Sequence, residues 1–262
     1  MMPADLRVSL DLAGKVSVVT GAGRRQGIGA AICLALASHG ADVFFTYWHH
    51  YDRADGIGED LDGPGLLEQQ IRDLGVRSGS LEVDLADPDS AALVLDRVRD
   101  TLGPPAILVN NAAHSTLDDY RTLDTASLDA HHAVNVRAMA LLSTGFARQF
   151  EDGSGGRIIN LTSGQSVGPM PDELAYATSK GAVEAFTISL AAAVASKGIT
   201  VNAIDPGATD TGWMDADLRE QIAASMAFGR VGMPSDAARL AVFLASEAGG
   251  WITGQVIHSR GA

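Results

Sequence analysis

Only one cysteine, Cys33, occurs in the 262-residue chain, which excludes an internal disulfide and leaves a lone thiol in a predicted helix. No base stands near it in sequence, so it reads as a packing residue rather than a nucleophile. Positive charge is scarce. Nineteen lysines and arginines stand against 32 aspartates and glutamates, and the net charge of −13 opposes binding to phosphate backbones or anionic lipid. Nucleic acid is not an expected partner. No run approaches the ~18 uninterrupted apolar residues of a membrane helix, and the segment Met1-Met2-Pro3-Ala4-Asp5-Leu6-Arg7 has no apolar stretch of signal-peptide type. A cytoplasmic protein without membrane contact is expected. Repeats of fixed period and low-complexity linkers are also missing, so nothing marks a domain boundary. The adjacent histidines His49-His50, beside Asp52 and Asp55, and His131-His132 lack a recognised ligand spacing. They read as solvated polar residues, and no metal is expected.

What is present fits one α/β domain, since such folds often run undivided to ~250 residues. Hydrophobic residues at 46% and charged residues at 19% suit a soluble globular chain rather than a disordered one. Apolar strand-like runs at residues 16–20, 42–48, 80–83, 106–110, 157–162, 199–204 and 255–258 alternate with helical spacing, clearest at 66–74, 90–102 and 234–246. This alternation predicts a doubly wound, seven-stranded parallel sheet with helices on both faces, a single Rossmann fold over residues 1–262. Residues 49–65, rich in histidine, aspartate and glycine, are expected to be a long exposed loop. Residues 209–230 look like a mobile helical flap carrying Trp213, Met214 and Met226.

Directly after the first run comes Gly21-Ala22-Gly23-Arg24-Arg25-Gln26-Gly27-Ile28-Gly29, and a helix begins at once. Strand, glycine turn and helix together let backbone N–H groups cradle a dinucleotide pyrophosphate, with glycines permitting close approach. An acidic residue after the second strand commonly binds adenosine ribose hydroxyls, whereas a nearby arginine accommodates a 2′-phosphate. Here the second run ends Tyr47-Trp48 and two arginines stand in the turn, so NADP(H) is preferred over NAD(H).

Asn110 and Asn111 close the fourth run, where the cofactor crevice of such a sheet lies. Asn110 is expected to brace neighbouring strands, and Asn111 suits both bracing and cofactor contact. Asn135, within the next helix, is open to two readings, core bracing or proton relay. The fifth run delivers Ser163 at its end. Tyr176 and Lys180 follow, four apart on a helix, so phenol and ammonium share one side. A phenol with an unperturbed pKa near ~10 is mostly protonated at neutral pH, and an ammonium beside it favours ionisation, which suits acid/base work. Alone the pair is an ordinary amphipathic one, and its setting gives it meaning. Val183, Phe186, Leu190 and Val194 mark the inward face of the same helix.

Thr20-Gly21 with Gly27-Ile28-Gly29, then Asn110-Asn111-Ala112, Asn135, Ser163, Tyr176 with Lys180, and Pro206-Gly207 occur in one order. In that order and setting the chain closely resembles the short-chain dehydrogenase/reductase family from about Leu12 onwards. The resemblance implies that Tyr176 is the general acid/base and that Ser163 positions a substrate carbonyl. It implies that Lys180 lowers the tyrosine pKa and holds nicotinamide ribose, with Asn135 in a water-mediated relay. It adds Asp84 and Leu85 beside adenine, Asn111 and Ala112 on the cofactor, and Pro206, Gly207, Thr209 and Thr211 on the nicotinamide side. Gln165, Met170 and Trp213 are then candidates for the substrate pocket, and a homotetramer is implied, with the helices of Asn135 and Tyr176 at an interface.

Three departures stand out: two extra residues between Gly21 and Gly27, Ala113 where the family commonly has glycine, and the long connection after the second strand. Within the family the chain is most similar to 3-oxoacyl-(acyl-carrier-protein) reductases, through its TSGQS, YATSK and GITVNAIDPG segments. Carrier proteins are acidic and call for basic residues at the site mouth. Arg148 is available, but Ala191-Ala192-Ala193 leaves the neighbouring helix neutral. A free small ketone, sugar or polyol is the alternative substrate, and a non-catalytic NADP-binding regulator is the alternative role.

Overall fold

The computed structural model describes residues 9–54, 60–151 and 153–261. The segment Met1 to Arg7 and Asp55, both considered above, lie outside the described residues. The chain runs β1 (Val16–Val19), α1 (Ile28–Ser38), β2 (Asp42–Tyr47), α2 (His49–Ala54), α3 (Gly63–Asp73), β3 (Ser78–Glu82), α4 (Ser90–Thr101) and β4 (Ile107–Asn110). It continues through α5 (Thr125–His131), a π-helical turn (His132–Ala138), α6 (Met139–Gln149), β5 (Gly156–Leu161), α7 (Leu174–Val194) and β6 (Ile199–Asp205). α8 (Ala216–Ser225), α9 (Pro234–Ala245) and β7 (Val256–His258) complete it. The seven strands form one parallel sheet in the order β3-β2-β1-β4-β5-β6-β7.

Sequence pattern and packing agree strand by strand. Register pairs Val18 with Phe44 and Val19 with Phe45. Successive side chains of a strand point to opposite faces, so Val18 and Phe44 join the core beneath α4, α6 and α7, while Val19 and Phe45 join that beneath α1 and α9. Both faces are buried, which is why these strands are almost continuously apolar. Phe44, Phe45 and Phe146 are fully enclosed, each contributing roughly 1.5–3 kcal/mol through burial. On α7, Val183, Leu190 and Val194 are buried and Phe186 packs partly against the same core. Cys33 is buried, and burial pushes its thiol pKa up, so it is a packing residue.

Two local expectations need correction. The connection at 49–65 is not simply an exposed loop: α2 forms at its start, Asp52 on it is buried, and α3 already begins at Gly63. Both segments pack on the enlarged glycine turn. A Cβ on Gly23 would come 2.5 Å from Asp52 Oδ2, and one on Gly63 would come 2.6 Å from the Gly23 carbonyl oxygen. The long turn and the long connection, read above as separate departures, therefore fit one another. In 209–230 only α8 is helical, opened by the Asp215 carboxylate accepting from Leu218 N at 2.8 Å. Among the described residues no helix is long and apolar enough to cross a membrane, and no group of three His, Cys, Asp or Glu side chains is placed to hold a metal ion.

Candidate active site

The order β2-β1-β4-β5 puts a reversal of winding between β1 and β4, and ligands of such sheets bind beyond the carboxyl ends of the strands at that point. A cleft of about 1440 Å³ opens there. Single-ligand pockets span roughly 300–1,000 Å³, so this one has room for a dinucleotide and a second small molecule.

At one end the glycine turn is held shut against β4. Asn111 Nδ2 donates to the carbonyl oxygens of Thr20 and Gly21 at 2.9 and 2.8 Å, and Thr20 Oγ1 accepts from Asn111 N and Ala112 N. Gly21 has φ +73, and a Cβ there would come 2.6 Å from Ala112 Cα, so both conformation and space require glycine. Gly27, Ile28 and Gly29 reach the cleft at the start of α1, whose N-terminus carries no side-chain cap and no acidic residue in its first turn. Uncapped N–H groups aimed into a cleft fit a dinucleotide pyrophosphate.

Arg24, Tyr47, Trp48, Asp84 and Leu85 also line the cleft. Arg25 does not. Its guanidinium turns away to Asp60, with Nε donating to Oδ2 at 2.8 Å, and that bond holds the Asp60 carboxyl below the usual carboxylate range. The nearer arginine, Arg24, has Nε 3.6 Å from Asp52 Oδ1.

At the other end β5 delivers Ser163, and α7 brings Tyr176 and Lys180 to the same wall. Burial pushes the Tyr176 phenol pKa up, reinforced by Glu173, Tyr51 and Asp205, and the neighbouring Ser163 hydroxyl opposes this only in part. Lys180 Nζ donates to the Leu161 carbonyl oxygen at 2.8 Å and lies 5.4 Å from the Tyr176 ring centroid. Burial lowers the Lys180 pKa to about 8. Burial is thus the largest influence on both groups and favours the neutral form of each. The phenol keeps its proton at neutral pH.

Pro206, Gly207, Thr209, Thr211, Met170 and Trp213 line the cleft too. Trp213 Nε1 donates to the Thr209 carbonyl oxygen at 2.9 Å. Ala113 lines the cleft too, so its methyl narrows it. Two expected residues are elsewhere. Gln165 Nε2 donates to Glu184 Oε1 at 2.6 Å and to Thr162 Oγ1 at 3.2 Å, bracing the serine loop on α7 instead of facing the cleft. Asn135, in the π-helical turn, spends its side chain on bracing: Oδ1 accepts from His114 N at 2.7 Å, and Nδ2 donates to His114 O and to Ser179 Oγ, both at 2.9 Å. Ser179 Oγ in turn donates to the Tyr176 carbonyl oxygen, so Asn135 steadies the turn of α7 that carries Tyr176. Asn110 braces β4, donating to Asn160 Oδ1 and Ser143 Oγ.

Several residues were missed. His131, read as solvated, is buried with Nδ1 on the Ser127 carbonyl oxygen, and its ring stands 6.3 Å from that of Tyr176. His114 lines the cleft and is kept neutral by burial, its pKa lowered further by His131. Glu173, Tyr51 and Arg260 line it as well, with burial raising the Glu173 pKa.

A family model described as enoyl-(acyl carrier protein) reductase matches residues 21–261. The chain belongs to the short-chain dehydrogenase/reductase family. It is 47% identical over 249 residues to the uncharacterized oxidoreductase YjdA of Bacillus subtilis, covering 94% of this chain and 96% of that protein. It is 34% identical over 260 residues to the 3-oxoacyl-(acyl-carrier-protein) reductase FabG of Pseudomonas aeruginosa, covering 96% and 98%. Among solved structures, a short-chain dehydrogenase from Burkholderia cenocepacia in complex with NADP superposes with a TM-score of 0.84 at 35% identity, covering 96% of this chain and 98% of that one. As a member of this family the chain is an NAD(P)-dependent oxidoreductase.

Proposed function

We propose that this oxidoreductase is an NADP(H)-dependent carbonyl reductase, reversible as an alcohol dehydrogenase, acting on a free small carbonyl compound. The observation that carries the reading is the convergence of Ser163, Tyr176 and Lys180 on one wall of a cleft whose other end is an uncapped glycine turn. The chemistry a bound nicotinamide supplies is hydride transfer to the carbonyl carbon. Ser163 Oγ donates a hydrogen bond to the carbonyl oxygen, and Tyr176, protonated because burial keeps it so, gives that oxygen its proton as negative charge develops. Lys180, on the cleft wall, would hold the nicotinamide ribose, and an anionic dinucleotide beside it would favour its ammonium form. Residues 209–230, with Trp213 on the cleft wall, act as the substrate flap.

The free-substrate reading is favoured over a carrier-bound one by charge. Arg148 is exposed in the last turn of α6 and does not line the cleft, and the chain's net charge of −13 repels an acidic carrier protein. Turnover of a panel of small ketones without any carrier is the expected result. Activity confined to acyl-pantetheine 3-oxo thioesters would contradict it.

For the cofactor, Arg24 is the arginine of the glycine turn that lines the cleft, and β2 ends without a carboxylate. Arg24→Ala should weaken NADPH binding about 10- to 100-fold and leave NADH nearly unchanged, while Arg25→Ala changes neither appreciably. Fluorescence titration of the parent and both variants measures all six constants. Tighter binding of NADH than NADPH by the parent protein would contradict the preference and assign Asp52 to the ribose hydroxyls.

A homotetramer belongs to the same proposal. Leu128, Leu141 and Ile188 stay exposed on α5, α6 and α7, the helices expected at its interface. Light scattering reporting a monomer would rule it out.

A further inference from the structure

We propose that Arg260 makes the serine end of the cleft a carboxylate-reading subsite, so that the favoured substrate is a 2- or 3-oxo acid. The inference rests on the carbonyl-reductase reading above. Arg260 follows β7 by two residues, and its side chain crosses from the end of β6 to the end of β5. Its stem lies on Gly207, where an added Cβ would meet Arg260 Cα, Cβ and Cγ at 3.1 Å. Its guanidinium lies on Gly164, where an added Cβ would meet Nη2, Cζ and Nη1 at 3.0–3.2 Å. Two glycines thus leave the room this arginine fills. Gly164 directly follows Ser163, so the cation lies against the residue next to the one whose hydroxyl takes the carbonyl oxygen.

The buried Asp205 orients the fork from behind. Its Oδ2 lies 3.6 Å from Arg260 Nε and 2.9 Å from His258 Nδ1, and its Oδ1 accepts from Gly207 N at 2.9 Å. Among the described residues, Nη1 and Nη2 of Arg260 make no hydrogen bond. The other Lys and Arg side chains on the described cleft wall are engaged elsewhere, Arg24 with Asp52 at the adenosine end and Lys180 with Leu161 O. The guanidinium of Arg260 is therefore the cation facing the substrate end, and a planar fork with two free amino groups matches a carboxylate in bidentate geometry. With the carbonyl on Ser163 and Tyr176 and the anion one residue away, the two groups of the substrate are separated by one or two bonds. An ester of the same acid keeps the carbonyl and the size but not the charge.

The test compares phenylglyoxylate and acetoacetate with their methyl esters, in the wild type, Arg260→Gln and Arg260→Lys, with kcat and KM measured separately. Expected is a wild-type preference for the acids, an acid-to-ester ratio of kcat/KM that falls about 10- to 100-fold in Arg260→Gln, mainly through KM, and partial recovery in Arg260→Lys. An acid-to-ester ratio no higher in the wild type than in Arg260→Gln overturns the inference, and reduction of the esters then leaves the carbonyl-reductase reading standing. Equal loss of acid and ester activity in both variants also overturns it and makes Arg260 a support for the C-terminal segment. If acids, esters and neutral ketones all fail to oxidise a cofactor that titration shows to bind, the carbonyl-reductase reading fails, and the subsite with it.

Discussion

Tyr176→Phe lowers kcat for carbonyl reduction by about 100- to 10,000-fold, the range that a positioned general acid supplies, and leaves NADPH affinity within about threefold. The change removes one oxygen from a ring that keeps its contacts with His131 and Lys180, so folding is little affected. What is lost is the proton that must reach the carbonyl oxygen as hydride arrives. Ser163 still offers a hydrogen bond, which is why residual turnover is expected rather than none. Steady-state kinetics with saturating NADPH, together with a cofactor titration, separate the two effects. Full activity in this variant would remove Tyr176 from the chemistry.

Lys180→Met carries the second large effect. Methionine fills a similar volume in a site where the lysine is only 3% exposed, but it supplies neither the charge nor the donor to Leu161 O. In alcohol oxidation Tyr176 must accept a proton, so the rate rises with pH as the phenol ionises. Burial already pushes that ionisation up, and a charged Lys180 opposes the push. Its removal should move the alkaline rise to higher pH and lower kcat/KM near neutrality about 100-fold. The sign is diagnostic: a rise shifted to lower pH, or left in place, would show that Lys180 does not act on the phenol.

The sheet was legible in the sequence because both its faces are buried. Runs such as Val16–Val19 and Ile107–Asn110 carry scarcely a polar side chain, and the helices between them show apolar spacing. Ser163, Tyr176 and Lys180 were legible because strand end and helix spacing fix their directions locally. The misplaced residues are those whose direction is set by a distant partner. Arg25 is turned by Asp60 and Gln165 by Glu184, and no local pattern encodes either pairing. α2 is six residues long, too short to be stable by propensity alone, and it is held by Asp52 packing on the glycine turn. Arg260 was invisible for the same reason. It meets Gly164 and Gly207 only because β5, β6 and β7 lie side by side. The π-helical turn that aims Asn135 at His114 and Ser179 lies between α5 and α6 without a break, and no residue type marks where the helix widens.

The central claim is that a buried, protonated Tyr176 delivers the proton in carbonyl reduction. It is tested most directly by the pH profile of kcat for NADPH-dependent reduction of one small ketone, measured for the wild type and for Tyr176→Phe. The account predicts a wild-type rate that stays level through neutrality and falls in the alkaline range with loss of a single proton, and a residual Tyr176→Phe rate in which that fall is absent. An alkaline fall of the same shape and position in both proteins would contradict it.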